Sequence, residues 1–154
     1  MYTLSDYYDD VETFNALANN LTNVTPAKMI AQANVLQEEV QELKDGLNNE
    51  DLEEILDGTV DVIYVAFGML QMLRSLGYDT ERAMEKTARN NLTKFPTSIN
   101  TVVESVDDYS ENGTEITWEY NKVYDKYVLK DTKGKIRKPL GYVKNNLKDC
   151  LPKE

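Results

Sequence analysis

The 154-residue chain contains no histidine. That absence excludes Ser/His/Asp and Cys/His catalysis, His-ligated zinc and the Glu-x-x-His pairs of di-iron bundles. Cysteine is nearly absent too: Cys150 stands alone, so no disulfide can form within the chain, and with no histidine to act as its base the thiol is expected to be inert. Positive charge is short, 17 Lys and Arg against 27 Asp and Glu, for a net charge of −10 and a pI near 4.5. Such a chain repels bare phosphate backbones, which excludes an electrostatic nucleic-acid binder. No apolar run reaches about 18 uncharged residues, and "MYTLSDYYDD" is acidic where a secretory signal is basic, so no membrane span and a soluble cytoplasmic protein are expected.

What is present reads as helix. Hydrophobic residues at 41% and charged residues at 29% fit one globular domain of this length. Tyr8, Val11, Phe14, Leu17 and Leu21 fall at helical spacing in a first segment from Ser5 to about Asn20. Thr25 and Pro26 form a cap and first position for a second helix, whose stripe Met29, Ala33, Leu36, Val40, Leu43, Leu47 reaches Gly46 as an expected C-cap. A third helix spans about Glu50 to Leu76; its second half is apolar on nearly every side, which predicts burial all round. Asp79 caps a fourth helix that ends before Pro96. From about Thr97 the composition shifts, and "TEITWEYNKVYDKYVLKDTKGKIRKP" reads as an antiparallel hairpin with its turn at "DTKGK". The expected fold class is therefore all-α: a four-helix bundle-like core over 1–96, with 97–154 as a hairpin-bearing extension of the same domain.

Two helices carry acidic edges. Glu39 and Glu42 share a face of the second helix, with Glu38 four residues before Glu42. Glu54, Asp57 and Asp61 lie within about 60° of one another on the third. Most acidic helix faces are solvated surface, and Glu50, Asp51 and Glu53 suit the positive end of a helix dipole. Asp61 differs, because no other formal charge occurs between Val60 and Leu73 and a lone buried carboxylate is costly. Its partner must come from another helix or be a bound cation. Oxygen ligands without imidazole or thiolate suit Mg²⁺ or Mn²⁺.

The elements EExxE at Glu38, Glu39 and Glu42, the ExxD-like pair Glu54 and Asp57, the run "EEILDGTVDVIYVAFGMLQMLRSLGYD" and the segment "ERAMEKTARNNLTKF" together resemble the MazG-like all-α nucleoside triphosphate pyrophosphohydrolases. "KGKIRKPLGYV" is similar to the tail of phage and bacterial members. The ExxD element has two registers: Glu54 to Asp57, or one aligned on Asp61 that leaves Gly58 where a glutamate is expected. The resemblance implies hydrolysis of a (deoxy)nucleoside triphosphate to the monophosphate and pyrophosphate. It implies one or two Mg²⁺ ions, or Mn²⁺, on Glu39, Glu42, Glu54, Asp57 and Asp61, with Glu38 and Glu39 as catalytic glutamates and Glu38 serving the attacking water. Asn91 and Lys94 are implied as contacts to phosphate or base, and Phe14 and Asn15 as contacts to the base, Phe14 being equally readable as core. A homodimer or homotetramer is implied as well.

The basic cluster Lys130, Lys133, Lys135, Arg137 and Lys138 reads either as a solvated hairpin or as a flap over the triphosphate tail. Two rivals remain: a phosphoribosyl-ATP-type pyrophosphohydrolase, and a non-catalytic acidic bundle that binds a basic partner.

Overall fold

A computed structural model describes residues 1–153. The described residues are mostly helical and form five α-helices and one two-stranded antiparallel hairpin. The helices are α1 (Leu4–Leu17), α2 (Pro26–Asn49), α3 (Leu52–Ser75), α4 (Thr80–Leu92) and α5 (Ile99–Glu111); the strands are β1 (Ile116–Asn121) and β2 (Lys126–Asp131). Two compact units result, Met1–Thr80 with the residues from Cys150 onward, and Glu81–Asp149. The boundary expected at residue 96 therefore falls inside the second unit. The fourth helix groups with α5 and the hairpin, not with the first three helices.

In the first unit, Thr3 and Asp6 form a capping box on α1, and Thr25 with Pro26 starts α2 as the sequence predicts. Gly46 does not end α2. The helix continues to Asn49 and stops where Glu50 turns left-handed at φ 55°. Gly46 is buried, and a Cβ there would sit 3.0 Å from the Glu54 Cβ and 3.1 Å from the Ile55 nitrogen. Its smallness serves helix approach, not termination. Gly58 plays the reciprocal part on α3, since a Cβ there would lie 2.9 Å from the Leu43 Cα.

In the apolar second half of α3, Val65, Gly68, Gln71 and Met72 are buried and the other residues from Tyr64 to Leu73 are half-buried, whereas in the first half Leu52, Leu56, Val60 and Ile63 are 38 to 80% exposed. Within the first unit, α1 and α2 are the described helices that pack on α3. α3 is long and apolar enough to cross a membrane by length and composition alone, a test that core helices also pass, and Asp61 lies within that span.

In the second unit, α5 departs from the expected pattern. Val102 and Ser105 are buried, with Val106 and Tyr109 half-buried behind them, a stripe at helical spacing inside a β-branched run. The hairpin turn lies at Lys122–Asp125, not at "DTKGK". There the Asn121 Oδ1 accepts from the Val123 and Tyr124 N–H groups, and Asp125 adopts φ 52°. "DTKGK" makes a second turn. The Asp131 Oδ1 accepts from the Lys133 and Lys135 N–H groups, Gly134 takes φ 77°, and Ile136 returns to bridge Lys130. Val102, Ile116 and Leu129 are buried in this unit, as is the Ser105 hydroxyl that accepts from the Leu140 N–H at 2.7 Å.

Candidate active site on the acidic face of the α2–α3 pair

Three close approaches set the register of α2 against α3. Gly46 meets Glu54 and Ile55, Leu43 meets Gly58, and Gln32 meets Gly68, whose hypothetical Cβ would lie 2.6 Å from the Gln32 Nε2. The pair is antiparallel, and interpolation along it brings Glu39 level with Asp61 and Glu42 level with the turn bearing Asp57 and Gly58. A Cβ at Gly58 would meet the Leu43 backbone, and Asp57 and Asp61 stand on either side of that close approach.

Electrostatics agree with this register. Partial burial, and then the charges of Glu42, Asp61, Glu38 and Asp57, push the Glu39 carboxyl above the usual glutamate range. Glu54 is not among those neighbours; it sits at the Gly46 end of the pair. Glu39 and Asp61 are half-buried, whereas Glu38, Glu42, Glu54 and Asp57 are exposed. Among the described residues, none of these six carboxylates has a Lys or Arg partner within salt-bridge distance. Asp61 therefore lies inside an apolar helix without a protein cation. Among the described residues, no group of three or more acidic side chains is gathered closely enough to hold a metal ion. The acids share a face and feel one another's charge, but they are not drawn into a coordination shell.

Beside Asp61 lies an aromatic cluster from α1 and α3. Tyr7 contacts Tyr64 and Phe67 edge-on at 5.8 and 6.3 Å, Tyr8 contacts Phe67 at 5.1 Å, and Phe14 contacts Tyr64 at 5.7 Å. Phe14 is 55% exposed, so it is not core. Burial and then the Asp61 charge raise the Tyr7 pKa, which places its phenol near that carboxylate; the hydroxyl donates to the Val60 carbonyl at 3.1 Å. Sequence reasoning passed over Tyr7, whose only signal was its helical spacing with Val11 and Phe14.

Asn15 is buried and occupied. Its Nδ2 donates to the Val11 carbonyl at 3.0 Å and to the Gln71 Oε1 at 3.3 Å, and its Oδ1 accepts from the Asn20 Nδ2 at 3.0 Å. Gln71 in turn donates to the Tyr8 carbonyl at 3.0 Å, and Gln32 to the Val65 carbonyl at 2.9 Å. These buried amides tie α1 and α2 to α3, so Asn15 stands in the scaffold and not at an open base pocket.

The remaining expected contacts belong to the second unit. The Lys94 Nζ donates to the Asn91 Oδ1 at 2.7 Å, and Arg89 pairs with Glu85 at 2.7 Å. In the basic cluster, Lys130 pairs with Glu119 at 2.6 Å, Arg137 lies 3.1 Å from Asp131 and over the Tyr109 ring, and Lys138 sits over the Tyr142 ring. Three of the five cations are thus engaged within their own unit.

A family model described as phosphoribosyl-ATP pyrophosphohydrolase matches residues 11–91. An uncharacterized protein of Acanthamoeba polyphaga mimivirus is 30% identical over 100 residues, covering 62% of this chain and 39% of that protein. The chain thus spans well under half the length of this curated relative. No solved structure matches.

Proposed function

The chain belongs to the phosphoribosyl-ATP pyrophosphohydrolase family, within the MazG-like all-α superfamily, and from that premise we propose that it hydrolyses a (deoxy)nucleoside triphosphate to the monophosphate and pyrophosphate. The observation that carries this reading is the pairing of Glu39 with Asp61 across two helices, with further carboxylates beside them and no protein cation among the described residues to neutralise them. This donor set is made of hard oxygens, and of the two causes that raise Glu39, burial first and then repulsion by its acidic neighbours, the second is what a divalent cation relieves, so the residues fit Mg²⁺ or Mn²⁺. Glu39, Glu42, Asp57 and Asp61 would hold one or two such ions, with Glu54 next along the face. When bound, the metal would neutralise the triphosphate and polarise the phosphoryl group under attack.

Glu38 is exposed at the edge of the face, where its carboxylate takes a proton from water and orients it. Phe14 and Tyr64 offer an aromatic surface for a base. The stripe Leu52, Leu56, Val60 and Ile63 is apolar and 38 to 80% exposed, which favours burial against a second copy in a homodimer or homotetramer. The reading is that of a soluble cytoplasmic enzyme with neither a nucleic-acid nor a membrane partner.

The family description favours phosphoribosyl-ATP as the second substrate reading. Pyrophosphate release from a panel of dNTPs, NTPs and phosphoribosyl-ATP, with Mg²⁺ and with Mn²⁺, separates the two. Glu39→Gln and Asp61→Asn should each lower turnover by roughly 10²-fold or more. Because the charged form of Glu39 is disfavoured in the fold, Glu39→Gln should also melt at or above the wild-type temperature. Retained turnover in both variants refutes the assignment, and a melting temperature that falls with activity assigns the residues to folding alone. Under the non-catalytic reading, no substrate in the panel is cleaved and divalent cations leave the melting temperature unchanged.

A further inference from the structure

The second unit contains a cleft that the proposed reaction does not use. It encloses about 500 Å³ and is lined by Leu92, Phe95, Asn121, Tyr124, Lys126 and Val128. That volume is typical of small-molecule sites, and the lining matches their usual make-up of apolar and aromatic walls with few polar groups.

The local chain geometry builds both walls. After α4 the backbone turns through the Lys94 N–H to Asn91 carbonyl and Phe95 N–H to Leu92 carbonyl bonds, and the Pro96 carbonyl then accepts from the Tyr127 N–H at 2.8 Å. That bond clips the end of α4 to β2, with Leu92 and Phe95 on one side and Lys126 and Val128 on the other. In the hairpin register Asn121 pairs with Lys126, and Lys126 and Val128 alternate onto one face of β2 while Tyr127 and Leu129 take the other. Tyr124 stands in the turn, positioned by the Asn121 Oδ1 that accepts its N–H at 3.2 Å and by the Tyr120 hydroxyl that donates to the Asp125 Oδ1 at 2.6 Å. The Asn121 carbonyl oxygen is thus in use, and its Nδ2 is the amide group left for a ligand.

The charge of the lining selects the occupant. No carboxylate lines the cleft, and among the described residues the Lys126 ammonium has no hydrogen-bond or ion-pair partner. Lys126 is a half-buried residue whose cation borders the apolar cleft and attracts an anion, and the Phe95 and Tyr124 rings favour a flat π-system. We propose that the cleft between the end of α4 and the β1–β2 hairpin binds a small planar aromatic molecule carrying one negative group, its ring against Phe95 and Tyr124 and its anion on Lys126.

The test is titration of the full chain with anilinonaphthalene sulfonate, an aromatic monoanion, followed by methyl NMR shifts. Saturable shifts at the Leu92 and Val128 methyls are expected, and Lys126→Met should weaken that binding about tenfold or more through loss of one charge-assisted contact. Leu92→Glu, at a 64% exposed position, should abolish it while leaving the circular dichroism spectrum unchanged. Phenylnaphthylamine, which lacks the sulfonate, should bind the wild type as weakly as the sulfonate binds the lysine variant. The proposal is overturned if shifts appear only on α3 at Leu56 and Ile63, if Lys126→Met binds as wild type does, or if the neutral probe binds equally well. It is likewise overturned if Leu92→Glu changes the sedimentation of the chain, because the cleft is then filled by another polypeptide.

Discussion

The two units differ in charge far more than in size. Residues 1–80 with 150–154 carry four Lys and Arg against sixteen Asp and Glu, net −12; residues 81–149 carry thirteen against eleven, net +2, and the two values together give the −10 of the chain. They also differ in how their acids are treated. In the second unit Asp131 and Asp149 are held below the usual aspartate range: Asp131 chiefly by the Lys135 N–H, and Asp149 chiefly by the Lys86 ammonium at 2.5 Å, with Arg82 at 2.7 Å. In the first unit Glu39 is pushed the other way by burial and by its own kind. Asp131 and Asp149 thus find their partners inside the second unit, whereas on the α2–α3 face of the first unit, among the described residues, no Lys or Arg lies within ion-pair distance of Glu38, Glu39, Glu42, Glu54, Asp57 or Asp61. A protein under no functional demand would have little reason to keep such a face beside an apolar helix.

The comparison can be tested first through glycine. Alanine favours a helix over glycine by about 1 kcal/mol, yet Gly58→Ala should destabilise the first unit by about 1–3 kcal/mol because its Cβ meets the Leu43 backbone. Gly134→Ala meets nothing within 4 Å but must hold φ 77°, so it should cost about 1 kcal/mol, with asparagine recovering part of the loss. Urea melts read both. A Gly58→Ala protein more stable than wild type would contradict the close helix crossing from which the Glu39–Asp61 register was drawn.

Added Mg²⁺ is next in size. At ten times its dissociation constant it should stabilise the fold by about 1.4 kcal/mol. Amide exchange should slow in α2 and α3, with β1 and β2 unchanged, and slowing confined to the hairpin would place the ion elsewhere.

Acid should act on the two units in opposite senses. Glu39, with its folded pKa raised, favours the protonated form in the fold; its penalty is complete above that raised value and disappears as pH falls through it toward the ordinary glutamate value. Asp131 and Asp149 are depressed, so their contribution is complete above the ordinary aspartate value and is lost as pH falls through their lowered ones. Exchange of α2 amides should therefore slow on mild acidification, while amides near Lys135 and Lys86 quicken only at lower pH. A common response in both units would remove the contrast. The smallest effect belongs to Asp149→Asn, whose two ion pairs are partly exposed: a slight fall in melting temperature that shrinks further in high salt.

Much of this was legible in residue order because it depends on neighbours a few positions away. The Thr25–Pro26 start of α2 and the acidic edges holding Glu38, Glu39, Glu42, Glu54, Asp57 and Asp61 follow from helical periodicity and capping, whereas Glu50, read as the start of α3, closes α2 and leaves the cap of α3 to Asp51. α5 was missed because Val102, Val103 and Val106 favour strands by type while their burial follows a helical stripe. Gly46 was misread as a terminator because an end-of-helix glycine and a contact glycine look alike until the opposing helix is known. Asn15 looked like a polar residue free to meet a base, and only the positions of Gln71 and Asn20 show its amide to be occupied.

By itself the sequence determined which side-chain chemistry the chain carries: no histidine, one cysteine, and acids along two helix faces, with Asp61 alone in an apolar run. Only the tertiary structure decided which carboxylate faces it, because the match of Glu39 to Asp61 depends on two backbones approaching at Gly46 and Gly58. Periodicity assigns a residue to a face of its own helix; the register between two helices is set by contacts far apart in the chain, where a single missing methyl group admits the neighbour.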